Sequence, residues 1–347
     1  MNILIAFLVF GVLIFVHELG HFVACRIFGV RVKEFAVGMG PKVLSHQSKK
    51  SGTVYSLRLI PVGGFNSIEG ENGDSESEES LCAKPVWQRM IIIVAGAFFN
   101  LVLAFVVMCI IVLASDKLGG TVIAPPAEAE EGQEAYVSTV YDKLFDGDKV
   151  IAINGKRVHV ANELMSTVIL EGAEPCDVTV IRDGRKMVIA DVVFATQEVD
   201  GVVFGDMDFR LYREEKNLFT VIKHSWFNCA STMELIWESV IGLITGRFGV
   251  EHVSGPVGVT EALGNAAKSG VLDVMNMTVM ISMNLGIFNL LPVPALDGGR
   301  FVFLVIEAIR RKPIKRETEA TIHTIGILVL MGLMVLITFK DVIFMVR

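Results

Sequence analysis

The chain lacks the features of a disulfide-stabilised secreted domain and of a nucleic-acid-binding protein. Its five cysteines show no C-x-x-C spacing, so neither a cysteine zinc site nor a disulfide scaffold is indicated, although Cys176 and Cys229 could pair in an oxidising compartment. The formal net charge is −7, and no basic patch of the kind that binds phosphate backbones is present. We therefore expect no nucleic-acid partner.

Long apolar runs are what the chain has in excess. Hydrophobic residues make up 52% of its 347 residues, and the mean hydropathy of +0.56 is above that of a soluble domain. A transmembrane helix needs about 20 apolar residues. Four stretches meet this requirement and predict a polytopic helical protein in a lipid bilayer: Ile3 to Ile27, Met90 to Leu113, Leu272 to Leu291, and Ile322 to Phe339.

Lysine and arginine gather in the loops after the first and third predicted spans. By the positive-inside rule both loops are cytoplasmic, and both termini and the segment from Ala114 to Gly270 then face outward. The first span has no Lys or Arg before it, which is atypical of a signal peptide. We expect this span to be retained.

The first span contains the motif His17-Glu18-Leu19-Gly20-His21. On a helix, residues four apart share a face, so two imidazoles can hold one metal ion with a glutamate beside them. This H-E-x-x-H pattern is typical of zinc hydrolases. Its apolar surroundings predict a metal at bilayer depth.

A catalytic zinc ion usually takes three protein ligands and leaves a position for water. The candidate for the third ligand is Asp297, which follows the third predicted span. Pro292 and Pro294 end the helix before it, and Gly298 and Gly299 allow a tight turn after it. An ionisable residue at this depth is a functional candidate because burying it without a partner is costly.

The loop between the first two spans predicts apolar hairpins. Val32 to Leu44 and Thr53 to Phe65 are rich in β-branched and aromatic residues and flank a polar turn. We expect them to dip into the membrane surface. An edge strand within Val54 to Phe65 could pair with an unwound substrate by strand addition.

The outward segment predicts a small α+β domain. The run from Asp146 to Val158 contains a turn, an alternating strand and an Asn-Gly turn; a helix over Asn162 to Leu170 and strands over Cys176 to Asp183 and Lys186 to Phe194 follow. This order resembles a PDZ domain. Asn217 to Val250 predicts an amphipathic helix on the outer membrane surface. The predicted divisions are 1–113 (first two spans and β-loops), 114–208 (PDZ-like domain), 209–270 (surface helix and connection) and 271–347 (last two spans).

Taken together, these motifs resemble the site-2 protease family of intramembrane zinc metalloproteases, in its bacterial RseP-like branch. The resemblance rests on the H-E-x-x-H motif, on Asn289 to Gly299, on Gly96 to Asn100 and on Ser254 to Gly258. It implies a polytopic α-helical membrane protein with four transmembrane helices, membrane-associated β-hairpins and one inserted extracytoplasmic PDZ-like α+β domain.

The resemblance also implies roles for individual residues and for partners. His17, His21 and Asp297 are implied to bind Zn²⁺, and Glu18 to act as general base or acid. The residues implied to shape substrate binding are Asn289, Pro292 and Pro294. The implied substrates are single-span membrane proteins, such as anti-sigma factors or remnant signal peptides, that an upstream site-1-type protease has shortened. The implied location is the bacterial inner membrane, with the active site toward the cytoplasm.

Two other classes of protein fit parts of the sequence. One is a non-catalytic PDZ-bearing scaffold with a structural metal site, which has no need of the base Glu18. The other is a metal transporter, for which no second metal site and no inverted repeat are visible. The remaining histidines are predicted to be unpartnered surface residues: His46, His159, His224, His252 and His323.

Overall fold

The computed structural model describes residues 2–71, 77–126, 138–199, 201–246 and 253–346. Parts of two predictions lie outside these ranges: the start of the PDZ-like segment and the end of the predicted surface helix. The helices are α1 (Asn2–Ile27), α2 (Val86–Ala114), α3 (Ala161–Glu171), α4 (Leu218–Ile244), α5 (Pro256–Ser269), α6 (Val271–Leu290), α7 (Asp297–Arg310) and α8 (Arg316–Val346). The strands are β1 (Val32–Gln47), β2 (Val54–Ile68), β3 (Leu118–Ile123), β4 (Lys149–Ile153), β5 (Lys156–Arg157), β6 (Cys176–Arg182), β7 (Arg185–Val192), β8 (Ala195–Val199), β9 (Val202–Asp206) and β10 (Leu211–Glu214).

The four predicted spans are confirmed as helices long and apolar enough to cross a membrane. Among the described residues these segments are Leu4–Ile27, Val86–Ala114, Val271–Leu290 and Glu317–Ile343. The protein is therefore a polytopic membrane protein. The chain forms two compact units, one of Met1–Val107 with Ser239–Arg347 and one of Met108–Glu238.

Helices α1 and α2 pack closely because α1 carries a glycine where they cross. A side chain at Gly20 would collide with the backbone of Ala95 and Gly96 on α2. Small residues at a helix crossing let two backbones approach. This crossing brings the face of α1 that carries the histidines against α2.

The predicted hairpins between the first two spans are confirmed, but their pairing is more elaborate than two simple strands. Residues 34–37 of β1 pair with both 54–57 and 64–67 of β2, and residues 44–47 pair with 54–57. The sheet therefore has four short strands in the order 44–47, 54–57, 34–37, 64–67. Residues 54–57 are paired with a strand on both sides. The two free edges of this sheet, among the described residues, are therefore 44–47 and 64–67.

One contact ties this sheet to the H-E-x-x-H motif. Asn66 Nδ2 donates to the backbone carbonyl of Glu18 over 3.3 Å. A side chain added at Gly64 would lie 3.6 Å from Glu18 Cγ. The free edge at 64–67 therefore runs beside Glu18.

The second unit contains the predicted α+β elements in the predicted order. Its main sheet has the strand order β10-β3-β4-β6-β7, with β5 on β4. Hydrophobic side chains from this sheet and α3 form one core. Strand β3, the β8–β9 hairpin and β10 were not predicted.

This unit also contains an ion pair between a buried aspartate and a partly exposed arginine. Asp148 is 1% exposed and accepts from Arg182 Nε at 2.7 Å and from Arg182 Nη2 at 2.6 Å. The backbone N–H of Phe145 donates to the same carboxylate. Burial alone raises the pKa of Asp148, but these hydrogen bonds lower it below its usual value.

The prediction of surface histidines is wrong for His224, and the predicted lack of a partner is wrong for His159 and His323, which are partly exposed. His224 is 4% exposed and lies 3.1 Å from a Glu214 oxygen. His159 lies 3.0 Å from Glu163. Polar partners from sequence-distant or helical neighbours allow these rings to pack. The five cysteines are free thiols, so Cys176 and Cys229 are not paired.

Candidate metal centre

Three side chains from distant parts of the sequence converge at one point in the first unit. His17 Nε2 lies 3.0 Å from Asp297 Oδ2, and His21 Nε2 lies 3.3 Å from the same oxygen. The two Nε2 atoms are 3.2 Å apart. Among the described residues, this is the group of His, Cys, Asp or Glu side chains whose ligand atoms all lie within 4.8 Å of one another.

Helix α1 supplies the two rings from one face. His17 and His21 are one turn apart, and their rings contact edge to face with centroids 4.9 Å apart. Glu18 follows His17 on the same helix. Each histidine side chain is only 12% exposed, so the rings are largely shielded from solvent.

Asp297 is the first residue of α7, and the turn before it sets its position. Helix α6 ends at Leu290 and α7 begins at Asp297, so the predicted break at the prolines is confirmed. Side chains at Gly298 and Gly299 would collide with the backbone of Leu291 and Val293. The two glycines therefore let the turn fold back on itself and bring the carboxylate to the α1 histidines.

The turn contains a strained residue that α8 holds. Ala295 has φ of 86°, a conformation that is unfavourable for a residue with a side chain. Its N–H donates to His323 Nδ1 on α8 over 3.2 Å. A side chain at Gly326, one turn further along α8, would collide with the Pro294 carbonyl. Helix α8 thus fixes the turn that carries the carboxylate.

Helix α2 forms the back wall of the centre through three residues on successive turns. The Ile92 carbonyl lies 2.8 Å from His21 Nδ1. A side chain at Gly96 would collide with His21 Nε2 and would lie 2.8 Å from His17 Nε2. The Asn100 amide lies 3.2 Å from His17 Nδ1. These three residues are spaced by four, so they share one face of the helix.

The chemistry of the three converging atoms fits a cation. The carbonyl of Ile92 can only accept, so it takes the proton of His21 Nδ1 and leaves a lone pair on Nε2. Asp297 Oδ2 is buried and makes no well-formed hydrogen bond within the described residues, although two ring nitrogens lie within 3.3 Å. Electron pairs that face one another in a buried site need a positive charge between them. Two imidazole nitrogens and a carboxylate oxygen form a donor set that Zn²⁺ takes.

The substrate-binding candidates lie at the same turn but outside the cluster. Asn289 lies in the last turn of α6, and Pro292 and Pro294 lie between α6 and α7. Pro292 is exposed, while Asn289 and Pro294 are partly buried. The structure records no hydrogen bond between the Asn289 side chain and the three clustered residues.

Sequence reasoning missed the supporting residues of the centre. Ile92 acts through its backbone, which no residue type reveals. The segment from Gly96 to Asn100 contributes to the family resemblance, but the sequence predicts no role for either residue. The sequence predicts a surface position for His323, because its partner is a backbone N–H that no residue type reveals.

Two imidazoles and a glutamate on an apolar helix, with a carboxylate from a second helix beside the imidazoles, are typical of a metal-dependent hydrolase of the membrane. The chain belongs to peptidase family M50, the site-2 proteases, whose family model matches residues 5–333. It is accordingly a zinc metalloprotease.

Relatives match over nearly the full length of the chain. A protein of Clostridium perfringens, named provisionally as a zinc metalloprotease, is 36% identical over 99% of both chains. The zinc metalloprotease RasP of Bacillus licheniformis is 31% identical over 99% of both chains. The regulator of sigma-W protease RasP of Bacillus subtilis is 30% identical over 98% of both chains.

Proposed function

We propose that this zinc metalloprotease cleaves single-span membrane proteins within the bilayer, after another protease has shortened their outer part. The observation that carries the proposal is the cluster of His17, His21 and Asp297 beside Glu18 on an apolar helix. The name of the Bacillus subtilis relative, which regulates sigma-W, supports substrates of the anti-sigma-factor type. Remnant signal peptides are the second class of substrate with the same single-span form.

In the proposed centre, His17 Nε2, His21 Nε2 and Asp297 Oδ2 hold the zinc ion. A zinc ion held there would provide Lewis acidity and a bound water whose pKa is lowered to about 7. The Glu18 carboxylate accepts the proton of the attacking water and returns it to the leaving amine. Helix α2 and the turn before Asp297 hold the three ligands in place, which is the positioning that general acid–base chemistry requires.

The substrate must be unwound because a helix keeps its carbonyls in internal hydrogen bonds. The edge at residues 64–67 offers backbone groups beside Glu18, which supports strand addition at this edge. Residues 54–57 are paired on both sides within the sheet. They cannot pair with a substrate, so we assign strand addition to residues 64–67 alone. Asn289, Pro292 and Pro294 line the other approach, at the turn that presents Asp297.

We assign the second unit the role of a PDZ-like size filter on the outer side. Helix α3 is covered on one side by the β8–β9 hairpin, since Gly205 of β9 packs against the Val168 carbonyl and against Gly172. Because the hairpin already covers this side of α3, a peptide cannot bind there. This favours steric exclusion of large substrates over capture of a peptide.

Helix α4 has the amphipathic character of a membrane-surface helix. Leu218 and Phe219 are each 76% exposed, and Trp226 and Trp237 are exposed at following turns, whereas His224 on another face is buried. Tryptophans at headgroup level and an apolar stripe are typical of interfacial helices. Lys and Arg in the loops after the first and third spans support a cytoplasmic side for those loops and for the metal centre of a bacterial inner-membrane protein.

The experiment compares the wild type with Glu18→Gln in detergent, measuring bound zinc and cleavage of a single-span substrate. The proposal predicts one zinc ion in both proteins and cleavage by the wild type alone. Equal cleavage by both proteins would overturn the role of Glu18. Absence of zinc from the pure wild type would overturn the metal centre.

A further inference from the structure

Asn100 occupies a buried position that a purely structural residue would fill at lower cost. It is 0% exposed, in the middle of α2. Its backbone carbonyl accepts from Ser282 Oγ of α6 over 2.8 Å, so two helices fix this turn. Within the described residues, the amide oxygen Oδ1 is buried without a hydrogen-bond partner, which is unfavourable for a polar atom. The amide nitrogen Nδ2 lies 3.2 Å from His17 Nδ1.

The two histidines need the same protonation pattern if both Nε2 atoms are to hold a cation. A neutral imidazole carries one proton, and a ring that binds through Nε2 must carry it on Nδ1. For His21, the Ile92 carbonyl accepts that proton. For His17, the group at Nδ1 is the Asn100 amide, 3.2 Å away.

The two ends of an asparagine amide have the same shape but opposite chemistry. In the structure Nδ2 faces His17 Nδ1; in that orientation it would donate to Nδ1 and force the proton onto Nε2, where it would block a cation. If the amide is turned by half a rotation, Oδ1 faces His17 and accepts the Nδ1 proton. The second arrangement is the one that leaves a lone pair on Nε2.

We propose that Asn100 is a positioning residue whose amide oxygen accepts the Nδ1 proton of His17 and thereby directs the Nε2 lone pair at the metal. The inference rests on the proposed ligand role of His17. It makes α2 the source of both acceptors for the ligand rings, a carbonyl for His21 and an amide oxygen for His17. Hydrogen-bond partners of this kind orient ligands and set their basicity.

The test measures zinc affinity by chelator competition on the full chain in detergent, for the wild type, Asn100→Leu, Asn100→Asp and Ser282→Ala. Asn100→Leu removes the acceptor and is expected to weaken zinc binding by about 10–100-fold. Asn100→Asp keeps an acceptor and removes the donor, so its affinity should stay within about threefold of the wild type. Ser282→Ala, the control for packing around the same turn, should bind like the wild type.

Every result of these affinity measurements either supports or overturns the role of Asn100. Wild-type affinity in Asn100→Leu would overturn the inference, and so would an Asn100→Asp protein that loses zinc as severely as Asn100→Leu. If Asn100→Leu does not fold, the affinity of Asn100→Asp decides alone, since donor and acceptor roles predict opposite results for it. A wild type that binds no zinc would instead contradict the proposed function, which keeps the two failures apart.

Discussion

Each of the two units contains an aspartate with a carboxylate oxygen shielded from water, Asp148 in one and Asp297 in the other, and the two carboxylates are surrounded in opposite ways. Asp148 in the second unit meets only donors: two guanidinium nitrogens of Arg182 and the backbone N–H of Phe145. Asp297 in the first unit faces two ring nitrogens, one of which is left with a lone pair by its carbonyl partner. The surroundings of Asp148 are complete within the chain, whereas those of Asp297 call for a cation.

This difference separates a structural carboxylate from a functional one. A buried charge whose hydrogen bonds are satisfied by protein holds a fold together, because removing a partner leaves an uncompensated charge. A buried carboxylate opposed by other electron-pair donors is unfavourable until a metal ion joins them. Substituting each residue by its amide should therefore damage different properties of the protein.

The largest expected effect is on Asp297. Asp297→Asn replaces a charged ligand by a weak neutral one, so we expect bound zinc to fall below one tenth of the wild-type content and cleavage to fall by at least about 1,000-fold. Zinc content by atomic absorption and cleavage of a single-span substrate measure this. Amide exchange of the second unit should not change, and a variant that retains full zinc would contradict the ligand role.

Asp148→Asn should have the next largest effect, on stability alone. It leaves Arg182, whose side chain is 26% exposed, without a counter-charge, and the free energy of unfolding of the second unit should fall by about 1–3 kcal/mol. Hydrogen exchange of the amides of β4 and β6 in the full chain measures the loss. Asp183→Asn, at an exposed turn, serves as the control.

The ion pair of Asp148 and Arg182 should make the stability of the second unit decrease at low pH. Arg182 lowers the pKa of Asp148 below its ordinary value of 3.8, so its stabilisation is complete above that pH and decreases as the pH falls below it. Asp148→Asn should remove this part of the acid sensitivity. Equal acid sensitivity in both proteins would contradict the assignment.

Gly96→Ala tests whether the two histidine rings need the space that α2 leaves for them. The added methyl group would collide with His21 Nε2 and crowd His17 Nε2, so zinc affinity should fall by about 10–100-fold while the helices stay folded. Gly332→Ala is the matched control, because a side chain at Gly332 meets nothing within 4 Å. Equal zinc affinity in the two variants would show that the space at Gly96 is not needed.

The smallest expected effect concerns Glu34 in the hairpin sheet. Burial raises its pKa, but hydrogen bonds from Lys42, Ser56 and Arg58 lower it to about 2. The sheet should therefore lose about 1–2 kcal/mol as the pH falls from 4.5 toward 2. Exchange protection of the amides of residues 34–37, corrected for intrinsic rates, measures this. Glu34→Gln should show a smaller change over the same interval, and an equal change would contradict the account.

The three side chains that converge could be predicted from the sequence because their signals are local. His17 and His21 are separated by one helical turn, and Asp297 follows two prolines that must end a helix. The spans were equally readable, since a length of apolar residues is itself the physical requirement. The order of elements in the second unit followed from alternating strands and from the turns at Asn154-Gly155 and Asp183-Gly184.

What could not be predicted depends on how elements cross. The Ile92 carbonyl reaches His21 only because Gly20 lets α1 and α2 approach closely. The sequence of α2 is apolar all round, so it does not show which face of the helix contacts α1. The double pairing of residues 34–37 needs a sheet that folds back on itself, which local strand propensity does not encode. His323 accepts a hydrogen bond from the backbone N–H of Ala295 in a strained turn. The sequence therefore contains no complementary side chain from which this partner could be predicted.

The most direct test of the metal centre is X-ray absorption at the zinc edge on the purified wild-type protein. The account predicts two imidazole nitrogens and carboxylate or water oxygen at about 2.0–2.2 Å, with no sulfur at about 2.3 Å. Loss of the imidazole signal in His17→Ala with His21→Ala would complete the assignment. A sulfur shell, or an unchanged spectrum in the double variant, would contradict a zinc ion held by His17, His21 and Asp297.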